Sequence, residues 1–215
     1  MTKWKYGNAW EHFPMEEGEV WSVGKLNSKV AVHNIFNDLP SFMNDADMLF
    51  IDPPWNKGNV NSFYTKAGRN DHIEDFSIFE EVLFQRLREI SPNICYLEVG
   101  FQAVDKWCGL LSELYQTVQR WEVTYYKRNK CFILRGCNDN ALDFNYTGMD
   151  EEKVYYKSAE IENCLTIGDF CMGLGLAGLA ASKANKRFVG VELNKRRLAN
   201  LLQKLHKKGE QIERI

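Results

Sequence analysis

The stretch from Cys164 to Glu192 constrains this 215-residue chain more than any other. Cys164-Leu-Thr-Ile-Gly-Asp169 reads as a short strand, Gly173-x-Gly175-x-x-Gly178 as a glycine loop, Leu179 to Asn185 as a helix, and Arg187-Phe-Val-Gly-Val-Glu192 as a second strand ending in an acid. That order is half of a nucleotide-cofactor domain. The glycines let the backbone come close to a ligand, and the terminal acid is placed to take two ribose hydroxyls. A parallel sheet needs crossovers of a dozen residues or more between neighbouring strands. Only 23 residues follow Glu192, enough for one helix, so the remaining strands are expected upstream.

Upstream, Ser28 to Phe36 alternates like a strand, Asn37 to Asn44 is a helical or turn crossover, and Asp47 to Asp52 is an acid-flanked apolar run of strand length. Phe76, Phe79, Val82, Leu83, Leu87 and Ile90 mark an amphipathic helix that Pro92 ends. Ile94 to Val99 is a strand, Gly100 a break, and Phe101 to Tyr115 a second helix. Thr117 to Tyr126 and Lys130 to Arg135 form a hairpin with a basic tip, Lys127-Arg128-Asn129. These elements predict an α/β fold: one Rossmann-like domain over residues 1–215, with a mostly parallel, seven-stranded sheet carrying an antiparallel hairpin edge. Residues 1–28, 56–75 and 136–160 show no sustained period and are expected to be irregular.

Asp52-Pro53-Pro54-Trp55 follows the Asp47 to Asp52 strand. Two prolines fix an extended backbone and remove two donors, leaving a rigid loop that presents a carboxylate, free carbonyls and an aromatic face. An exocyclic amine on an aromatic base is a poor nucleophile because its lone pair is delocalised into the ring. If the Asp52 carboxylate and the Pro53 carbonyl both accept its hydrogens, the nitrogen turns tetrahedral and its lone pair is freed. Trp55 would stack on the base and hold its plane. The plainer reading is a strand-to-loop turn capped by Asp52 with Trp55 in a core.

The tetrad resembles the catalytic loop of S-adenosylmethionine-dependent amino-methyltransferases, which methylate adenine N6 or cytosine N4. With the tetrad first and the glycine loop last, the order is similar to the circularly permuted, β-type N6-adenine methyltransferases, over about Ser28 to Leu205. The resemblance implies a methyltransferase domain whose residues 164–208 bind S-adenosylmethionine: Asp169, Phe170, Cys171, Gly173 and Gly175 in the loop, Glu192 at the ribose, Asn34 toward the adenine, and Asp52 beside the methyl donor. Asp169, four residues before Gly173, argues against a dinucleotide, since it would repel a pyrophosphate but suits the zwitterionic methionine end of this cofactor. The reaction implied is direct transfer to adenine N6 in DNA, and a target base in a duplex would have to be flipped out. The alternatives are an RNA N6-adenine methyltransferase and a nonreacting subunit of a methyltransferase complex. Methylation of a protein glutamine amide is disfavoured, because such relatives usually carry Asn in place of Asp52. Cytosine C5 chemistry is disfavoured too, as no Pro-Cys nucleophile loop is present.

Substrate contact is expected from segments 56–75 and 136–160, with Tyr64, Lys66 and Arg69 as first candidates. The aromatics Trp4, Tyr6, Trp10, Phe13 and Trp21, interleaved with Lys3, Lys5 and Lys25, either stack on unpaired bases or staple an N-terminal arm to the domain. A net charge of −2 gives no global attraction to a polyanion, so nucleic acid must meet a local basic face or a partner must help. Nine cations between Lys183 and Lys208 crowd the last helices and read as a solvated face. Six scattered cysteines read as buried free thiols, and no metal site is expected. No apolar run approaches the roughly 20 residues of a membrane span, and Met1-Thr-Lys-Trp-Lys opens no signal peptide. A cytoplasmic protein, acting alone, as a homodimer or with a partner subunit, is the expectation.

Overall fold

A computed structural model describes residues 7–126 and 128–215. In chain order the elements are α1 (Ala9–His12), β1 (Val20–Val23), β2 (Ser28–Val32), β3 (Met48–Ile51), α2 (Lys57–Lys66), α3 (Phe76–Ile90), β4 (Ile94–Val99), α4 (Val104–Leu114), β5 (Thr117–Tyr125), β6 (Asn129–Cys137), α5 (Glu151–Ile161), β7 (Thr166–Asp169), α6 (Leu176–Lys183), β8 (Arg187–Glu192), α7 (Lys195–Lys207) and β9 (Ile212–Arg214). Among the described residues the strands form one nine-stranded sheet, ordered β5-β6-β4-β3-β7-β8-β2-β1-β9. The central run β4-β3-β7-β8-β2 is parallel.

The expected seven-stranded, mostly parallel sheet is therefore corrected to a nine-stranded mixed one. Antiparallel pairs flank both sides of the parallel run, and they carry the longer ladders, from Thr117↔Cys137 to Tyr125↔Asn129 in the hairpin alone. The two unexpected strands, β1 and β9, are four and three residues long, too short for a period to be read. Two further segments expected to be irregular contain helices. Asn56 caps α2 by accepting the Asn59 N–H at 2.9 Å, but that helix buries only Val60 and Tyr64. Helix α5 buries Val154, Tyr155, Ser158 and Ala159, a narrow stripe in otherwise polar sequence.

Alternate residues of each central strand enter opposite cores. Met48 and Phe50 pack with Tyr96, Tyr155, Leu198 and Leu202 beneath α5, α6 and α7. Leu49 and Ile51 pack with Leu83, Leu87, Trp107 and Leu111 beneath α2, α3 and α4. Each such side chain contributes roughly 1.5–3 kcal/mol by leaving water, so the sheet is held between two helix layers and its strand ends are presented as an edge. The ladder between β3 and β7 is short, with Met48↔Ile167 and Leu49↔Gly168 as its pairs. It is supplemented by the Asp47 carboxylate, which accepts the Leu165 and Thr166 N–H groups at 2.9 Å each. Gly168 is needed for this approach, since a Cβ there would lie 2.7 Å from Ala46 Cβ and Leu49 Cδ2.

The N-terminal aromatics within the described residues are packed inward. The Phe13 ring meets Trp21 at 5.9 Å, and Lys195 lies 4.6 Å over Trp10. The stapling reading holds for these residues; Lys3, Trp4, Lys5 and Tyr6 lie outside the described residues, as does Lys127 of the hairpin tip. Much of the C-terminal basic cluster is likewise engaged within the chain: Lys195 pairs with Glu16 at 3.0 Å, Arg187 with Asp45 at 2.8 Å, and Lys186 donates to the Glu162 carbonyl at 2.6 Å. The six cysteines form no disulfide, and Cys108 and Cys171 are only partly buried. No described helix is long and apolar enough to cross a membrane.

Candidate active site

Because the central strands run in parallel, their carboxyl ends share one edge. Asn34 follows β2, Asp52 follows β3, Glu98 lies near the end of β4, Asp169 ends β7 and Glu192 ends β8. In open α/β sheets this edge is where ligands bind, at the point where strand order reverses. Here that point falls between β3 and β7, with the tetrad on one side and the glycine loop on the other.

The loop after β7 is shaped by its glycines. Gly173 and Gly175 adopt φ of +53° and +78°, the left-handed region that side chains resist. A Cβ on Gly175 would also lie 2.6 Å from Leu201. Glu192 fixes the loop from below: its carboxylate accepts the Gly173 N–H at 2.6 Å and the Asn194 N–H at 2.9 Å. Asp169, 2% exposed, accepts the Cys171 N–H at 2.8 Å. Burial and the neighbouring Asp52 and Glu192 charges push its carboxyl well above the usual carboxylate range. Burial raises Glu192 as well, while Arg197 pulls it back down.

Two residues expected at the cofactor are buried. The Phe170 side chain is buried in the α2–α3–α4 core, which leaves its backbone as the part that follows β7 into the loop. Asn34 is buried, and its Oδ1 accepts the Phe36 N–H at 3.3 Å and the Tyr64 hydroxyl at 3.0 Å.

Asp52 is partly accessible, yet its carboxyl lies among other acids. Burial first and the Glu151 charge second raise it to about 7, against the opposing pull of Arg197 and the Trp55 indole. The Trp55 N–H is buried near this carboxylate without completing a hydrogen bond among the described residues. Its ring lies over Gly100, where a Cβ would come within 3.0 Å of Cε3, and 5.1 Å from the Tyr125 ring. Tyr125 in turn lies 4.2 Å from Tyr126, which is 65% exposed. A series of aromatic rings thus runs from the hairpin tip to the tetrad.

Three residues at this edge escaped the sequence reading. Ile51 is paired with Leu97, so the next positions, Asp52 and Glu98, are lateral neighbours on adjacent strands. Glu98 is 1% exposed, accepts the Cys131 thiol at 3.7 Å through Oε1, and has no partner for Oε2 among the described residues. Burial, followed by the Asp52 and Glu151 charges, raises it well above the carboxylate range. Glu151 opens α5, and both of its oxygens accept the Tyr126 N–H at 3.1 Å. Arg197 stands 4.5 Å over the Phe63 ring, with its Nε buried and unpartnered among the described residues. A lone acid inside the apolar run Ile94-Cys-Tyr-Leu-Glu-Val99 was a usable signal for Glu98; Arg197 was hidden in a basic run.

The three expected substrate contacts fare differently. Tyr64 is 5% exposed and donates its hydroxyl to Asn34, so in this structure it supports that residue. Arg69 is held by Asp71 at 2.8 Å and by Glu17 at 3.0 Å, which occupies the charge a phosphate would need. Lys66 lies 5.0 Å over Phe63, on the ring that Arg197 also covers, and its carbonyl accepts the Asn194 side-chain N–H at 3.0 Å.

The sheet order places the chain in a class of mixed-sheet α/β folds that several solved structures share. Within that class the chain is similar to M1.HpyAVI, with a TM-score of 0.53 and 13% identity over 82% of this chain and 97% of that one. It is similar also to the M1.HpyAVI–SAM complex, with a TM-score of 0.53 and 15% identity over 81% and 98% of the two chains. TTHA0409 from Thermus thermophilus, provisionally designated a DNA modification methylase and complexed with S-adenosyl-L-methionine, gives 0.55 and 14% identity over 77% and 88%. At these identities the likeness is one of fold. No family model and no curated protein sequence matches the chain.

Proposed function

We propose that this chain is a single-domain, S-adenosylmethionine-dependent methyltransferase acting on the adenine N6 amine of DNA, with the motif order of the permuted, β-type enzymes. The observation that carries this reading is the meeting of the Asp52-Pro53-Pro54-Trp55 loop with Asp169, the Gly173–Gly175 loop and Glu192 at adjoining ends of β3, β7 and β8. The charges of the edge favour this cofactor. Asp52, Asp169 and Glu192 each have a raised carboxyl, and Arg197 is the cation acting on Asp52 and Glu192. A ligand bearing an ammonium and a sulfonium relieves that excess of negative charge, whereas a pyrophosphate worsens it. Two of the similar folds were solved with this molecule bound.

In this reading Glu192 and the Gly173 region hold the ribose side, Asp169 the methionine ammonium, and Asn34, braced by Tyr64, lies on the adenine side. The bound cofactor supplies an electrophilic methyl group. The chain does the rest: Asp52 and the Pro53 carbonyl accept the amine hydrogens, Trp55 fixes the base plane, and the raised Asp52 carboxyl is suited to take the proton that the amine sheds. The Trp55–Tyr125–Tyr126 rings are a better candidate for contact with an extruded or unpaired base than Tyr64 or Arg69.

The test is transfer of labelled methyl to matched duplex DNA, single-stranded DNA and RNA, with digestion to nucleosides and mass detection. N6-methyladenine in a DNA pool, abolished by Asp52→Ala with cofactor binding retained, is the expected outcome. Transfer to no pool despite cofactor binding would reject the reading in favour of a nonreacting subunit.

A further inference from the structure

Glu98 is the least explained polar group among the described residues. It sits on the second-to-last residue of β4, one strand over from Asp52 and in register with it, on the face shared by Phe50 and Tyr96. Among the described residues its Oε1 meets only the Cys131 thiol, at 3.7 Å, and its Oε2 is buried without a partner. Among the described residues the titratable groups facing it are Asp52 beyond β3, Glu151 and Tyr155 on α5, Tyr125 on β5 and Cys131 on β6, with no cation among them. An ionised carboxylate in such surroundings would be unpaired and desolvated, a state that proteins avoid by keeping the proton. A protonated carboxyl is a hydrogen-bond donor, and here that donor has no acceptor to serve among the described residues.

Resting on the proposed function, we infer that Glu98, in its acid form, donates a hydrogen bond to the ring nitrogen next to the target amine, so that Asp52 and Glu98 together read an amidine edge. Adenine and cytosine both present an amine donor beside a bare ring nitrogen. Guanine and thymine present a carbonyl beside a ring N–H, which would set donor against donor at Glu98 and acceptor against acceptor at Asp52. The two strands are about 4.8 Å apart, and carboxyls reaching inward from neighbouring strand ends can converge on adjacent atoms of one ring. The pair therefore makes Glu98 a determinant of base class, while Asp52 alone would accept from any amine.

The inference is tested by a double substitution of enzyme and base. The probe is a DNA substrate in which the target adenine is replaced by 1-deazaadenine, which keeps the amine and puts a C–H in place of the ring nitrogen. Wild-type protein is expected to lose roughly tenfold or more in kcat/KM on this base. Glu98→Leu is expected to lose a similar factor on adenine and nothing further on the analogue. Glu98→Gln, which keeps an N–H donor, is expected to stay within about threefold of wild type on adenine. Equal rates on adenine and its analogue with wild-type protein would overturn the inference even if Glu98→Leu does not fold. So would a folded, cofactor-binding Glu98→Leu that methylates adenine at the wild-type rate. Absence of methyl transfer to adenine or cytosine by wild-type protein is a different result, which rejects the functional reading itself.

Discussion

Asp52 lies among groups of its own sign, and that sets how it responds to pH. Burial and Glu151 hold its carboxyl at about 7, so in the free protein a large fraction is protonated at neutral pH and cannot accept both an amine hydrogen and a proton. The expected outcome is a kcat/KM that rises with pH through the neutral range as Asp52 ionises. Glu151→Gln removes a like charge, and the rising limb should move to lower pH. A pH profile of both proteins checks this; an unmoved limb would mean that Glu151 does not set the Asp52 charge state. At this scale the sequence was partly readable. The tetrad, Asp169, the loop glycines and Glu192 announce themselves by residue type and spacing. Phe170, Tyr64 and Arg69 could not be judged, because residue type does not say which way a side chain points or which neighbour has claimed it.

Elements were legible where local chemistry and burial agree. Helix α3 was readable end to end, since Asp75 caps it by accepting the Ser77 N–H at 2.9 Å, five of its residues are buried at helical spacing, and Ser91-Pro92 stops it. Helix α5 was not, and it is held instead by a long-range buried contact that no local window contains. Arg135 on β6 pairs with Glu162, just past the end of α5, at 2.6 Å, with both side chains 4% exposed. The Tyr96 hydroxyl donates to the same carboxylate. Removing one member leaves the other charge buried and alone, so Glu162→Ala should lower stability by about 3–5 kcal/mol. Replacing both together, with Arg135→Met and Glu162→Leu, should recover most of that loss. Urea denaturation midpoints of the single and double variants decide it, and a single variant as stable as wild type would show that α5 is anchored elsewhere.

The whole molecule carries a set of buried or partly buried acids whose protons are held more tightly folded than unfolded. Asp52, Glu98, Asp169 and Glu192 all have raised carboxyls, so the native state binds more protons than the unfolded chain above the ordinary carboxylate range. Stability should accordingly rise as pH falls through about 7, the region set by Asp52, and the gain should end near the unfolded carboxylate values of about 4. The acids with lowered carboxyls, Asp71, Asp75 and Glu89, act in the opposite direction only at lower pH and are exposed. The free protein should melt higher at pH 6 than at pH 8, by roughly 2–4 °C for each kcal/mol involved. S-adenosylmethionine should shrink the difference by neutralising the same carboxylates. Thermal melts with and without it are the measurement, and a lower melting temperature at pH 6 would contradict the charge arrangement. At this scale the central strands lying upstream of the glycine loop were foreseeable from its position, though their order in the sheet was not. The outer strands were not, since β1 and β9 are short and are defined by pairing across nearly the whole chain.

The brief ladder between β3 and β7 has a consequence for how the two ligands would sense each other. Backbone bonding is scarcest along the line that separates the tetrad from the glycine loop, with Met48↔Ile167 and Leu49↔Gly168 as its strand pairs. Two half-sheets joined by so few strand pairs would open most cheaply along that line, in the low-energy openings that native proteins sample. A molecule lying across the line acts as a clasp, and stilling that motion for one ligand lowers the ordering cost that remains for the other. Affinity at either half-site and rigidity at the join are then one free energy measured from two sides, and by reciprocity methyl donor and acceptor would strengthen each other without touching.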